Sequence, residues 1–427
     1  MTIVLNWIAW AILFSLLADH LLNLIANRLN IEAIRDDIPE SFRHVYDSEQ
    51  YRQSQRYLRT NTRFGQIAAS VDLLVLLAFW FSGGFAIIDQ WTRSLDWSLI
   101  LTGMLYIGVL AGLKAIIDLP FSLYATFVIE TRFGFNRTTW STWITDRLKG
   151  LLLAVGLGAP LLSGVLAFFQ YTGATAWIWC WALITLFTII IQFVAPTWIM
   201  PLFNRFEPLP PGELKDAVMT YAASIGFALD DIYVMDGSKR SSKSNAFFTG
   251  FGRHRRIVLF DTLVNNHTTE ELVAILAHEM GHYRLRHILK MMAGGVLQTG
   301  IVLYLMSLMI RTPELFEAFG LQEPSIHAGL VFFGMLYAPV AFFLGLIVQA
   351  ISRRHEYAAD RFAAMSTGRI EPMVDALIKL SVHNLSNLSP HPFYVFLKYS
   401  HPPVMQRIKA LLGGGQKTGD GDLGTEG

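Results

Sequence analysis

The chain has 427 residues, of which 53% are hydrophobic and 16% are charged, and its formal net charge is +1. That composition excludes an ordinary soluble protein. The near-neutral charge argues against a nucleic-acid partner, which would require a concentrated basic face. The single cysteine, Cys180, lies in an apolar run and cannot form an internal disulfide, so no oxidising compartment is implied.

Long apolar runs predict about seven transmembrane helices, because each run is long enough to cross about 30 Å of hydrocarbon. They lie near 3–27, 66–88, 98–119, 150–170, 174–198, 288–310 and 327–351. The first run is not typical of a cleaved signal peptide, since no basic segment precedes it and Asn27-Arg28 replaces the small residues of a cleavage site. We therefore expect a multi-pass protein with the lipid bilayer as a partner.

Basic residues are concentrated in alternate loops. The loop at 28–63 is rich in arginine and the loop at 132–149 is also basic, whereas the loop at 312–326 is acidic. By the positive-inside rule, this alternation predicts an N-terminus outside and a C-terminus in the cytoplasm.

Five polar residues interrupt the apolar spans or lie near their ends, where each would cost several kcal/mol if it faced lipid. They are Asp19, His20, Asp72, Lys114 and Asp118. We expect them to face an interior or a cavity. Paired contacts between helices, without a function, are the alternative.

The only soluble-looking insert, 200–287, opens with prolines that exclude a continuing helix. A helix is expected next at 212–226, followed by two strands at 231–235 and 256–260, with the run 246–251 between them. A further helix should begin near Thr268, which can serve as its N-cap, with Glu270 and Glu271 in the first turn.

Residues 278–282 on that helix read His-Glu-Met-Gly-His. His278 and His282 stand one turn apart and can bind the same zinc ion, with Glu279 beside them as general base. The preceding run, Glu-Leu-Val-Ala-Ile-Leu-Ala, favours helix. The context therefore indicates a zinc peptidase rather than a surface helix with two unrelated histidines.

A catalytic zinc with two histidine ligands needs a third protein ligand. Glu356 and Asp360 lie one helical turn apart behind the last apolar run. Glu356 could complete the set, and Asp360 could accept a hydrogen bond from a ligating imidazole. A solvated acidic face that caps the span is the other interpretation, and spacing alone does not decide between them.

Short motifs are spread along the whole chain, among them Phe133-Gly-Phe-Asn136, Ser244-Asn-Ala246, His278-Glu-Met-Gly-His282, Arg354-His-Glu-Tyr-Ala-Ala-Asp360 and His401-Pro-Pro403. In this combination the chain resembles the type I CAAX prenyl protease family, the integral-membrane zinc endopeptidases of the gluzincin group. The resemblance implies an all-α multi-pass membrane protein, in which seven helices enclose a chamber. A cytoplasmic zincin-like domain would carry a small β-sheet.

The resemblance also implies roles for individual residues. One zinc ion per chain would be bound by His278, His282 and Glu356, and Glu279 would activate its water. His401 would be a second catalytic residue that donates a hydrogen bond to the oxyanion. Asp360 and Arg407 would support the site from behind the ligands, with Arg407 paired to an acid.

Two residues, Asn245 and Ala246, would lie on an edge strand that receives the substrate backbone. Turn chemistry is the competing account of Asn245, and a structural cap is that of His401. His287 is expected to lie at the membrane interface rather than to bind the metal.

The predicted organisation places transmembrane helices at 1–199 and 288–351. The catalytic insert is 200–287, and a C-terminal catalytic segment at 352–412 precedes a disordered tail at 413–427.

The expected substrate is a peptide or protein, prenylated or otherwise associated with the membrane, that is cut near its C-terminus. The chain is short for the eukaryotic members and has no obvious retrieval signal for the endoplasmic reticulum. We therefore favour a bacterial cytoplasmic membrane over the endoplasmic reticulum membrane, with the active site facing the cytoplasm. A smaller heat-shock-type zinc peptidase and a non-proteolytic zinc scaffold or channel are the other hypotheses. Seven spans rather than four argue against the first of these, and Glu279 argues against the second.

Overall fold

The structure, a computed structural model, describes residues 2–249 and 256–415 and is mostly helical. Within these residues, seven helical segments are long and apolar enough to cross a membrane. They are Trp7–Glu32, Ser48–Phe81, Leu99–Glu130, Trp140–Tyr171, Gly173–Leu202, His287–Met309 and Ile326–Thr367. The predicted number of spans is confirmed.

The α-helices in the N-terminal half are α1 (Trp7–Glu32), α2 (Ser48–Phe81), α3 (Gly84–Arg93), α4 (Leu99–Tyr124), α5 (Trp140–Leu153), α6 (Ala159–Tyr171) and α7 (Ala176–Val194). Those that follow are α8 (Glu213–Ser224), α9 (Asp261–Asn266), α10 (Thr269–Arg284), α11 (His287–Met309), α12 (Pro313–Glu317), α13 (Ile326–Thr367), α14 (Glu371–His383), α15 (Pro392–Lys398) and α16 (Val404–Gly415). The predicted tail overlaps the end of α16, and its remainder lies outside the described residues.

The second span differs from its predicted bounds of 66–88. The helix begins much earlier, at Ser48, and ends at Phe81, because Gly83 adopts a left-handed φ of 78° and a new helix starts at Gly84. Glycine reaches that φ without the steric cost that a side chain would impose. The hydropathy pattern does not reveal this break, because the residues on both sides of it are apolar.

Three spans contain a π-helical turn, at Ala125–Glu130, Ala154–Gly158 and Ala195–Ile199. Pro160 follows the second of these and Pro196 lies in the third. A proline has no backbone N–H to donate, so the helical turn beside it departs from the hydrogen-bond pattern of an α-helix.

The intramembrane polar residues pair or line a cavity. The Lys114 ammonium lies 3.1 Å from the Asp72 carboxylate and 2.6 Å from that of Asp118, so it joins α2 to α4. Asp19, His20 and Asp72 line a cavity of about 630 Å³ between α1 and α2. This placement agrees with the expectation that they face an interior.

A four-stranded sheet lies in the predicted insert. Its strands are β1 (Phe206–Pro208), β2 (Asp231–Met235), β3 (Ala246–Thr249) and β4 (Arg256–Phe260). Their order is β1-β2-β4-β3, and β2 and β4 are parallel whereas the outer pairs are antiparallel. The predicted strands at 231–235 and 256–260 are confirmed, and β1 was missed because it has only three residues. Residues 250 and 251 of the run predicted at 246–251 lie outside the described residues.

The sheet packs on α10 and α14 through a continuous apolar core. Ile232, Ile257 and Leu259 of the sheet are fully buried, as are Leu276 of α10 and Ala376 of α14. Each large side chain buried in this way contributes about 1.5–3 kcal/mol to folding. The core therefore holds α10 in a fixed position beside β3.

Candidate metal centre

The helix that carries the His-Glu-x-x-His motif begins with a complete capping box. The Thr268 hydroxyl accepts a hydrogen bond from the Glu271 amide at 3.3 Å, and the Glu271 carboxylate accepts one from the Thr268 amide at 3.0 Å. The Lys379 ammonium on α14 lies 2.7 Å from the same carboxylate. The predicted N-cap is confirmed, and its acid also ties α10 to α14.

Three possible ligand groups meet where α10 faces α13. The Nε2 atoms of His278 and His282 are 3.1 Å apart. Glu356 Oε2 lies 3.4 Å from His278 Nε2, and Glu356 Oε1 lies 3.3 Å from His282 Nε2. Within the described residues, these three are the His, Cys, Asp or Glu group whose ligand atoms lie close enough to hold a metal ion.

One oxygen of the Glu356 carboxylate lacks a hydrogen-bond partner in the described part of the chain, and a bound cation would provide the missing interaction. Its Oε2 atom is buried and accepts no hydrogen bond from the described residues. A buried polar atom without a partner carries a desolvation penalty that native proteins avoid. The residues present therefore fit a metal ion between the three side chains.

Close packing of α10 on α13 brings these groups together. A Cβ at Gly281 would lie 3.0 Å from the Phe362 ring and 3.4 Å from the Ala359 Cα. Glycine at this position lets the two helices approach. Because α13 is one helix of 42 residues, the seventh membrane span and Glu356 belong to a single continuous element.

Asp360 and Arg407 lie directly behind the three groups. Asp360 Oδ1 is 2.8 Å from His278 Nδ1, one helical turn beyond Glu356 as the spacing predicted. Arg407 Nε donates to Asp360 Oδ2 at 2.8 Å, and Arg407 Nη1 lies 3.6 Å from Glu356 Oε2. This arrangement can fix the His278 ring with Nε2 facing the metal position.

Glu279 and His401 flank the same position. Burial raises the pKa of the partly buried Glu279 above its ordinary value, and the charges of His278 and His282 offset this only in part. His401 Nε2 lies 3.4 Å from Glu356 Oε1, and its side chain is 64% exposed. The Ser400 hydroxyl contacts His401 Nδ1 at 2.9 Å.

Asn245 and Ala246 lie at the edge of the sheet, next to α10. Asn245 lines a cavity of about 440 Å³ together with His401 and Arg407. The exposed Asn245 side chain accepts a hydrogen bond from the Ala246 amide at 2.9 Å. The Asn245 side chain therefore faces the same cavity as His401 and Arg407, which lie beside the candidate metal position.

His287 is not simply the membrane-interface residue that the sequence suggested. It is buried, its Nδ1 lies 3.1 Å from His282 Nδ1, and its ring stacks on that of His355 at 3.9 Å. Arg286, with a left-handed φ of 56°, turns the chain between the two helices. Five-residue spacing is not a helical period, so no pattern in the sequence linked His287 to His282.

Two family models match the chain. Residues 27–205 match the N-terminal part of CAAX prenyl proteases, described by five membrane helices, and residues 208–414 match peptidase family M48. CAAX prenyl protease 1 of Saccharomyces cerevisiae is 35% identical, with 88% of each chain covered. The chain belongs to the CAAX prenyl protease 1 family. It is accordingly a membrane metalloendopeptidase with a bound metal as its cofactor.

Other members of the CAAX prenyl protease 1 family are similarly close. The Arabidopsis thaliana homologue is 33% identical and covers 89% of this chain and 92% of its own. The crystal structure of Saccharomyces mikatae Ste24p superposes with a TM-score of 0.88 at 33% identity, covering 95% of this chain and 99% of that one. The heat-shock-type peptidase and the non-proteolytic scaffold or channel are not supported. These relatives are eukaryotic and give no support to the expected bacterial membrane.

Proposed function

We propose that the protein binds one zinc ion through His278, His282 and Glu356 and hydrolyses peptide bonds near the C-terminus of CAAX-type or other membrane-associated proteins. The observation that carries this proposal is the spacing of the ligand atoms. Tetrahedral ligands at about 2.1 Å from zinc lie about 3.4 Å from one another. The observed separations are 3.1, 3.4 and 3.3 Å.

Each side chain around the metal position has a distinct task in this proposal. Bound zinc supplies the Lewis acidity that makes a water molecule a nucleophile near neutral pH. Glu279 takes the proton from that water and passes it to the leaving amine. His401 donates a hydrogen bond to the carbonyl oxygen as negative charge develops there.

The outer edge of β3 offers a way to bind substrate without reading its sequence. An extended peptide can add to a sheet edge through main-chain hydrogen bonds alone, and Asn245 lies where it can hold a peptide carbonyl. The cavity beside Asn245 and the intramembrane cavity near Asp19 share Lys398 in their walls. This proximity of the two cavities supports a substrate that stays attached to the membrane.

Mass spectrometry of the products from a farnesylated CAAX peptide and an unprenylated membrane protein, incubated side by side, tests the substrate. We expect cleavage of the CAAX peptide, and a Glu279→Gln protein serves as the blank. Cleavage of the membrane protein alone would contradict the CAAX part of the proposal and leave the peptidase part intact.

The active site is proposed to face the cytoplasm, because the arginine-rich segment 28–63, which includes the end of α1 and the start of α2, shares a core with the insert. Single cysteines labelled by an impermeant reagent in sealed vesicles test this. We expect 28–63 and 200–287 to react from the cytoplasmic side and 312–326 from the other side. Cytoplasmic labelling of 312–326 would overturn the orientation.

A further inference from the structure

At the start of the free edge of β3, the backbone groups of Ser244 already have hydrogen-bond partners. Backbone groups of successive residues in a strand point to opposite sides. Asn245 O accepts a hydrogen bond from the Phe260 amide at 3.1 Å, so Asn245 faces β4. Its neighbours, Ser244 and Ala246, therefore face the outer edge. Among the described residues, no strand pairs with that edge.

Asn384 takes both backbone groups of Ser244. Its Oδ1 accepts a hydrogen bond from the Ser244 amide at 3.1 Å, and its Nδ2 donates one to the Ser244 carbonyl at 3.3 Å. A residue of an adjacent antiparallel strand would make the same pair of bonds. The amide side chain thus fills the place of one residue of a neighbouring strand.

The backbone around Asn384 fixes the direction of this side chain. Asn384 terminates α14 with its amide bonded to Leu380 O, and Leu385 follows with a left-handed φ of 49°. That conformation is unfavourable for a residue with a side chain. Leu385 packs against the apolar cluster of Ile129, Phe133 and Phe135, and this contact accounts for a leucine at a position where glycine is usual.

We propose that Asn384 is a positioning residue that sets where substrate pairing begins. The Ala246 amide already donates to Asn245 Oδ1 at 2.9 Å. With Ser244 blocked, an extended peptide can therefore first pair at the Ala246 carbonyl, which fixes its register relative to the metal position. This inference rests on the proposed function, in which the β3 edge binds substrate. Because outward-facing groups recur at every second residue, loss of the block permits a second register displaced by two residues.

The test compares Asn384→Ala with Asn387→Ala on a farnesylated CAAX peptide, with products identified by mass spectrometry. Asn387 lies in the same loop, but its Nδ2 donates to Asn30 Oδ1 at 3.2 Å instead. We expect Asn384→Ala to retain zinc, to lose about tenfold to a hundredfold in kcat/KM, and to produce a second fragment cut two residues away. Asn387→Ala should give the wild-type fragment alone.

An Asn384 that only ties α14 to β3 would give a different result. Its replacement by alanine would lower the melting temperature while the products and the KM stayed those of the wild type, and this outcome would overturn the proposal.

If Asn384→Ala loses its zinc, the similarly sized variant Asn384→Asp tests the proposal instead. It keeps the acceptor for the Ser244 amide but not the donor to its carbonyl, so a smaller share of the displaced fragment is expected. Wild-type products from the aspartate variant would also contradict the proposal. A wild-type protein that does not cleave the peptide at all would refute the proposed function instead.

Discussion

The metal position and the β3 edge are adjacent in space but are built in opposite ways. His278, His282 and Glu356 project from two long helices that pack closely at Gly281, and Asp360 fixes one of the rings from behind. The edge is a short strand whose first outward position is filled by a side chain from a residue 140 positions away. We infer that rigid elements hold the candidate ligands, whereas the register of the substrate in the proposed function would depend on a few polar contacts.

This comparison predicts that damage to the metal position abolishes turnover, whereas damage to the edge changes how substrate is held. Glu279→Gln should lower kcat by about 10²–10⁴-fold, because an amide cannot take the proton of the attacking water. Zinc content and melting temperature should stay at their wild-type values. Kinetics and metal analysis of the same preparation measure both effects.

Glu270→Gln is the matched control for this change. Glu270 lies in the first turn of the same helix, is exposed and pairs with Arg369. It should keep the wild-type rate. Equal losses in the two variants would show that the effect comes from the helix rather than from the base.

Asn245→Ala should weaken turnover of peptide substrates by up to about a hundredfold, because a misplaced backbone reacts slowly even when the catalytic groups are intact. The zinc content should not change. Exposed Asn265 on α9 offers a control, since Asn265→Ala removes the same amide group at a position outside β3. Unchanged kinetics with a lowered melting temperature would remove Asn245 from the substrate site and leave turn chemistry as its role.

Asp360→Asn should have the smallest effect, a loss of about ten- to a hundredfold in zinc affinity, because partners behind a ligand typically contribute that much. The amide accepts a weaker hydrogen bond from His278 Nδ1 and no longer carries the charge that pairs with Arg407. Competition with a fluorescent chelator measures the affinity. Exposed Asp375 on α14 provides the control, and an unaltered affinity in Asp360→Asn would deny Asp360 its supporting role.

Local patterns in the sequence predicted much of this fold. Seven spans, the N-cap at Thr268 and two strands follow from hydropathy, capping and periodicity over a few neighbouring residues. The His278 and His282 pair is visible for the same reason, because both lie on one helix. Glu356 was linked to them only through family resemblance, since spacing alone also fitted a solvated acidic face.

Contacts between distant residues could not be predicted in this way. The pairing of Asn384 with Ser244 and the contact of His287 with His282 depend on how the chain turns at Leu385 and Arg286, two residues with positive φ. Neither is glycine, so no local pattern predicts a turn at either position. Their backbone conformation is imposed by the surrounding packing rather than by local preference.

We expect peptide hydrolysis to require a zinc ion held by His278, His282 and Glu356. The most direct test measures zinc content and turnover in one preparation as purified, after chelation and after zinc is restored, together with Glu356→Ala. We predict about one zinc per chain, reversible loss of activity on chelation, and neither zinc nor turnover in the variant. Full turnover by metal-free protein, or stoichiometric zinc and normal cleavage in Glu356→Ala, would contradict the claim.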